Sequence, residues 1–205
     1  MKGSIILFGI LMVCFNGCKT TKHVVERQVD IKMENLDQPQ ENVEPPPPPP
    51  PPPDHVPAAV NFSDQSTWIL GYFDLNRLFL PPHSTWFISG YDDYKYDTET
   101  VNKLKKIDKS DITIKIVMGT WCPDSRREVP RFMRVLNAAN FTPDKFQLIG
   151  VDNVKNSPIE NYRSLNIQRV PTFIIYKNNI EAGRIIENPT TSLEQDMVNI
   201  LTRNE

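Results

Sequence analysis

The chain has 205 residues, 19 of them proline and three cysteine, and a formal charge of −2 at neutral pH. That length holds one ordinary domain plus further segments, and a near-neutral balance without a dense basic run excludes a nucleic-acid surface built on charge. The sequence carries no internal repeat, glycine-rich phosphate loop or cluster of metal-ligating side chains, so neither cofactor nor metal is expected.

Residues 1–18 have the order of an export signal. Lys2 supplies a positive start, and Ile5 to Phe15 form an apolar run interrupted by Gly9. The run is shorter than the roughly 20 residues a membrane-crossing helix needs. Phe15-Asn16-Gly17-Cys18 places a small residue directly before a cysteine. It resembles the lipobox of bacterial lipoproteins, which implies that Cys18 is acylated and becomes the new N-terminus. Phe15 and Asn16 depart from the favoured lipobox residues. Cys14 follows the bulky Val13 and fits less well. The expected product is an exported protein, anchored by lipid to a bacterial membrane and facing the periplasm. Cleavage removes Cys14 and lipid occupies Cys18, which leaves Cys122 as the single free thiol in an oxidising compartment.

Residues 19–60 read as a tether. Lys19 to Glu44 shows no sustained periodicity, and Pro45 to Pro53 is an unbroken proline run. Such a run adopts polyproline II and makes a semi-rigid spacer of about 28 Å. From Phe62 the composition turns globular. Trp68 to Leu80 is densely apolar and is expected to be helical until Pro81-Pro82 stops it. Trp86, Phe87, Tyr91 and Tyr94 suit a second helix. Asp97 or Thr98 can cap a third, whose Val101, Leu104 and Ile107 share a face. His83 has no visible acid or cysteine partner and is expected to be structural or on the surface.

The remainder alternates strand and helix signals. Ile112 to Met118 predicts a strand, Ser125 to about Ala139 a helix kinked by Pro130, and Phe146 to Val151 a second strand followed by an Asp152-Asn153 turn. Ile159 to Leu165 predicts a short helix. Thr172 to Tyr176 and Ala182 to Ile186 flank Lys177-Asn178-Asn179 as an antiparallel hairpin, and Ser192 can cap a last helix through Leu201. The order is β-α-β-α-β-β-α.

Trp121-Cys122-Pro123-Asp124-Ser125 lies at the junction of the first of these strands and its helix. A cysteine there meets unpaired backbone N–H groups and the positive end of the helix dipole, which favour the thiolate, the form that attacks disulfides. Farther on stands Val170-Pro171-Thr172-Phe173-Ile174-Ile175-Tyr176-Lys177-Asn178. With these two motifs on these elements, residues 110–203 resemble the thioredoxin superfamily. The resemblance implies an α/β thioredoxin-like fold, a central mixed β-sheet flanked by helices, here over 111–205 with an N-terminal helical extension over 61–110. It also implies a cis bond before Pro171, with Val170 offering its backbone to a substrate strand. Trp121, Pro123, Asp124 and Thr172 would then shape the rim around Cys122.

Two departures bear on the mechanism that the resemblance implies. Ser125 replaces the resolving cysteine of a Cys-x-x-Cys pair; its hydroxyl is able to hydrogen-bond a Cys122 thiolate but not to attack a mixed disulfide. Ile116 stands where thioredoxins carry a buried acid that serves the second thiol. Both losses fall on the same half-reaction. Asp124 opposes ionisation of Cys122 whereas Arg126 and Arg127 favour it, unless the two arginines simply form a solvated helix face. One expectation is therefore a monothiol oxidoreductase or isomerase that forms mixed disulfides through Cys122. Its partners would be cysteine-containing exported proteins, a small thiol or a partner reductase. The other is a redox-inactive binding or chaperone module that keeps the peptide groove beside Pro171. A thiol peroxidase fits poorly, because Lys115 and Gly119 fill the proline and threonine places of the peroxiredoxin motif.

Overall fold

The computed structural model describes residues 59–203. The expected export signal, Cys14, Cys18 and the proline run lie outside the described residues. Nine elements follow in order: β1 (Gly71–Phe73), α1 (Ser84–Asp93), α2 (Thr98–Lys106), β2 (Ile112–Met118), α3 (Pro123–Ala138), β3 (Phe146–Gly150), β4 (Thr172–Lys177), β5 (Ile180–Ile186) and α4 (Leu193–Thr202). Short 3₁₀ turns at Leu75–Phe79 and Tyr162–Leu165 connect them.

The strands form one sheet in the order β1-β3-β2-β4-β5. β2 and β3 run parallel, whereas β1 on β3, β4 on β2 and β5 on β4 are antiparallel. The central β2 is buried at Ile112, Ile114 and from Ile116 to Met118, with Thr113 exposed and Lys115 half-buried, so both faces are covered toward its C-terminal end. Lys177 ends β4, and the hairpin to β5 turns through Asn178 and Asn179, both left-handed with φ of 52° and 61°. Asparagine tolerates that region, and paired positive-φ residues suit the twist of a two-residue hairpin. The four α-helices pack on one face of this mixed sheet and the Tyr162–Leu165 3₁₀ turn on the other, an arrangement consistent with the thioredoxin-like fold.

The helix ends follow from local chemistry. Asp97 caps α2 by accepting Thr100 N–H at 2.7 Å, and the helix closes on Lys103, Lys105 and Lys106, which suit the negative end of its dipole. Ser192 caps α4 by accepting Gln195 N–H. α3 carries Pro123 in its first turn and Asp124 beside it, a residue type and a charge that a helix start favours. Pro130 lies inside α3 and withdraws one intrahelical donor without ending the helix. The main core gathers Ile116, Phe132, Leu136, Phe173 and Met197 between sheet and helices. Within it the rings of Phe132 and Phe173 stack with centroids 4.1 Å apart.

Two expectations are corrected. Residues 68–80 do not form a helix: they supply β1, which adds an edge strand to the sheet, and then a 3₁₀ turn. Backbone proximity at Gly150 accounts for this. A Cβ on Gly150 would stand 2.0 Å from the Ile69 carbonyl oxygen, so only glycine lets the chain entering β1 lie against β3. The segment ahead of Asp111 is thus mixed rather than wholly helical, with α1 and α2 where helices were expected. The short helix expected at 159–165 is a 3₁₀ turn over Tyr162–Leu165 alone.

Candidate functional site

β2 ends at Met118, and the chain then turns through Gly119, Thr120 and Trp121 into α3. Cys122 N–H donates to Gly119 O at 3.0 Å, and Arg126 N–H donates to Cys122 O at 3.1 Å as the first bond of the helix. Cys122 thus sits at the N-cap of α3 with extended backbone. It is 7% exposed, and its Sγ donates to Val170 O at 3.4 Å. The Val170–Pro171 bond is cis. Pro171 O accepts Glu187 N–H at 2.7 Å, which fastens the turn to the end of β5. The two motifs, 48 residues apart in the chain, therefore meet sulfur to carbonyl.

The other candidate residues divide. Pro123 is exposed, and Trp121 and Asp124 are half-buried, as a rim requires. Trp121 Nε1 donates to Val151 O at 3.0 Å, and its ring lies so close over Gly119 that a Cβ there would stand 2.5 Å away. Thr172 does not face outward. It is buried, and its hydroxyl donates to Arg169 O at 2.6 Å, bracing the turn before β4. Ser125 is fully buried, and its Oγ accepts Gly119 N–H at 3.3 Å. One of its lone pairs is thus engaged by the backbone just past β2, while the Cys122 Sγ donates to Val170 O. Ile116 is likewise fully buried, paired across the sheet with Leu148 and Phe173.

The conflicting charges beside Cys122 sort themselves spatially. Asp124 pairs with Arg127 at 2.7 Å, and Arg127 also holds Glu128 at 2.7 Å. Hydrogen bonding to Glu128, ahead of the opposing effect of burial, raises the Arg127 pKa. Arg126 turns the other way. Its Nη1 donates to Thr120 O at 3.0 Å and Trp121 O at 2.8 Å. Its guanidinium lies 4.3 Å from the centroid of the Phe62 ring. Burial holds Arg126 below the usual guanidinium range, with negative charge on Cys122 acting against that shift. The reading of both arginines as a solvated face therefore suits Arg127 more than Arg126.

The segment ahead of β1 completes this flank, and sequence reasoning missed it. Thr120 is fully buried, and its hydroxyl donates to Thr67 O at 3.2 Å while accepting Ile69 N–H at 3.2 Å. Trp68 packs 6.3 Å from Trp121 between ring centroids, and its Nε1 donates to Phe62 O at 3.0 Å. Phe62 stacks on His83 at 6.1 Å. Burial, then Arg77 and Arg126, hold His83 below the usual imidazole range. Among the described residues its Nδ1 has no partner. On the opposite flank Tyr162 shares an apolar cluster with Cys122 and Val170. Burial, then the Asp152 charge, push its phenol up to about 12. Asp152 itself accepts Val154 N–H and Asn156 N–H as a turn residue. The signal available for the missed flank was the aromatic density of residues 62–87, which reads as core in any sequence.

Among the described residues no group of three or more His, Cys, Asp or Glu is placed to hold a metal, and no helix is long and apolar enough to cross a membrane.

No family model matches the chain. A Dictyostelium discoideum protein named "Putative thioredoxin-5" is 28% identical over 111 residues, which are 54% of this chain and 99% of that protein. It supports a thioredoxin-like relationship and, at most, a thioredoxin-like redox role. Among solved structures, a Pseudomonas aeruginosa protein of unknown function has a TM-score of 0.47 and 11% identity, covering 63% of this chain and 90% of its own. An HIV epitope scaffold has a TM-score of 0.44 and 13% identity, covering 63% and 82%.

Proposed function

We propose that this protein is a monothiol thiol–disulfide oxidoreductase or isomerase working through Cys122. We further propose that it is exported and held at a membrane by lipid on Cys18. The observation that carries the catalytic reading is the placement of Cys122 at the start of α3 with its Sγ 3.4 Å from Val170 O, while the second thiol position holds a buried serine.

The Cys122 thiol loses its proton to solvent, and the thiolate attacks one sulfur of a substrate disulfide. A Cys122–substrate disulfide forms, the substrate S–S bond breaks, and the other substrate sulfur leaves as a thiolate. Ser125 cannot complete the exchange. A different thiolate of the substrate attacks its own sulfur in the mixed disulfide, forming a new internal disulfide and expelling the Cys122 thiolate. The sum is isomerisation with no net oxidation. A small thiol or partner reductase acting instead gives net reduction, its own disulfide carrying the oxidation away. Ionisation also frees Val170 O, which loses the S–H donor and becomes available to a backbone N–H of an extended substrate.

The test is refolding of a scrambled disulfide protein by the full chain and by its Cys122→Ala variant. Faster refolding with wild type and none with the variant is expected. Equal rates would overturn the catalytic reading and leave a binding module as the better account. For the anchor, Cys18→Ser is expected to abolish palmitate labelling and to release the protein from membranes; unchanged labelling would overturn it.

A further inference from the structure

We infer that Arg126 is the positioning residue for Cys122, and that Phe62 mounts it there, so the segment ahead of β1 is part of the thiol site. This inference deepens the monothiol reading and rests on it. Three consecutive carbonyls lie in the turn before Cys122. Gly119 O is taken by Cys122 N–H. Thr120 O and Trp121 O both point to one guanidinium nitrogen of Arg126. Thr120 is fully buried, so its carbonyl has no ready replacement in water. Without that donor the two carbonyls would be free to rotate, and their negative ends would stand beside the incipient thiolate with no cation to offset them.

Arg126 is also immobilised. Its far side rests on the face of Phe62, at the distance of a cation–π contact. Phe62 is itself fixed by its stack on buried His83 and by the bond from Trp68 Nε1 to its carbonyl. The same guanidinium thus joins the turn, the start of α3 and a residue about 60 positions earlier in the chain. Arg127, one residue on, is spent on Asp124 and Glu128. The division of labour leaves Arg126 as the cation turned to the thiol loop.

The test is the pH profile of iodoacetamide alkylation at Cys122, followed by peptide mass spectrometry on the full chain so that Cys14 and Cys18 are read separately. Iodoacetamide needs no disulfide substrate, so the readout holds even if the isomerase assay fails. Arg126→Gln is expected to move the profile to higher pH and to slow alkylation at neutral pH by about threefold or more, as loss of a nearby cation requires. Arg126→Lys, which keeps charge and folding, is expected to restore most of the shift. Phe62→Ala, with the arginine present but unmounted, is expected to move the profile the same way by less. An Arg126→Gln profile that superposes on wild type in a protein with unchanged circular dichroism would overturn the role of Arg126. An unmoved Phe62→Ala profile would overturn the mount.

Discussion

Replacing Thr120 by valine keeps the shape of the side chain and removes only its hydroxyl. That hydroxyl serves two backbone groups at once, donating to Thr67 O and accepting from Ile69 N–H. The Ile69 donor is buried, with Ile69 2% exposed, whereas Thr67 is half-buried. Leaving one buried donor unpaired costs about 1–3 kcal/mol, and the half-buried Thr67 carbonyl adds little because water can reach it. For a chain of this size that loss lowers the melting temperature by roughly 3–10 °C. Urea unfolding followed by tryptophan fluorescence reads it directly, because Trp68 and Trp121 flank the broken latch. The midpoint is expected to fall with little change in slope, and Thr120→Ser is expected to restore it. A Thr120→Val protein within about 0.5 kcal/mol of wild type, the range of ordinary surface substitutions, would refute the idea that this hydroxyl fastens the segment before β1 to the thiol loop.

Ser125→Cys restores a second thiol at a fully buried position. Mixed disulfides on Cys122, seen by non-reducing electrophoresis of cell extracts, are expected to persist in wild type and to disappear in this variant; equal persistence would show that position 125 does not govern release. His83 gives a pH signature. Its folded pKa lies below the usual 6.5, so the unfolded chain binds the extra proton first. The stability it contributes is complete above about pH 6.5 and is lost as pH falls through the folded value. Melting temperatures are expected to decline as pH falls below about 6.5, and His83→Asn to flatten that slope relative to wild type.

The sequence made the right half of this fold legible wherever a pattern had a single physical solution. Ile112 to Met118 alternates β-branched residues with few helix formers, and β2 occupies those residues. Asp97 and Ser192 are short acceptors followed by helix-compatible runs, and both cap as expected. Trp68 to Leu80 had no such uniqueness. An apolar stretch interrupted by Gly71, Asp74, Asn76 and Arg77 suits helix and strand alike, and the edge strand it forms needs the bare Cα of Gly150, about 80 residues farther along. The thiol motif and the cis turn were readable as residues. Arg126 was readable as a cation near Cys122 but not apart from Arg127, and Phe62 was not readable at all, since a guanidinium declares its role only through partners brought together by the tertiary fold. Thr172 was placed on the rim for its adjacency to Pro171, but β4 is buried on both faces at its start and the hydroxyl is turned to Arg169 O.

Glu194 is nearly fully buried at the start of α4, where it accepts from Tyr94 Oη at 2.9 Å and from Asp97 N–H at 2.8 Å. Asp97 is the residue that caps α2. One carboxylate close to the C-terminus therefore fastens the entrance of a helix that is synthesised about a hundred residues earlier. A growing chain can make α2 and β2 in order, yet it cannot close this corner until its last helix has emerged. This corner of the domain therefore closes only after residue 194 is made, and a nascent chain stalled before it would carry the thiol motif on an open frame.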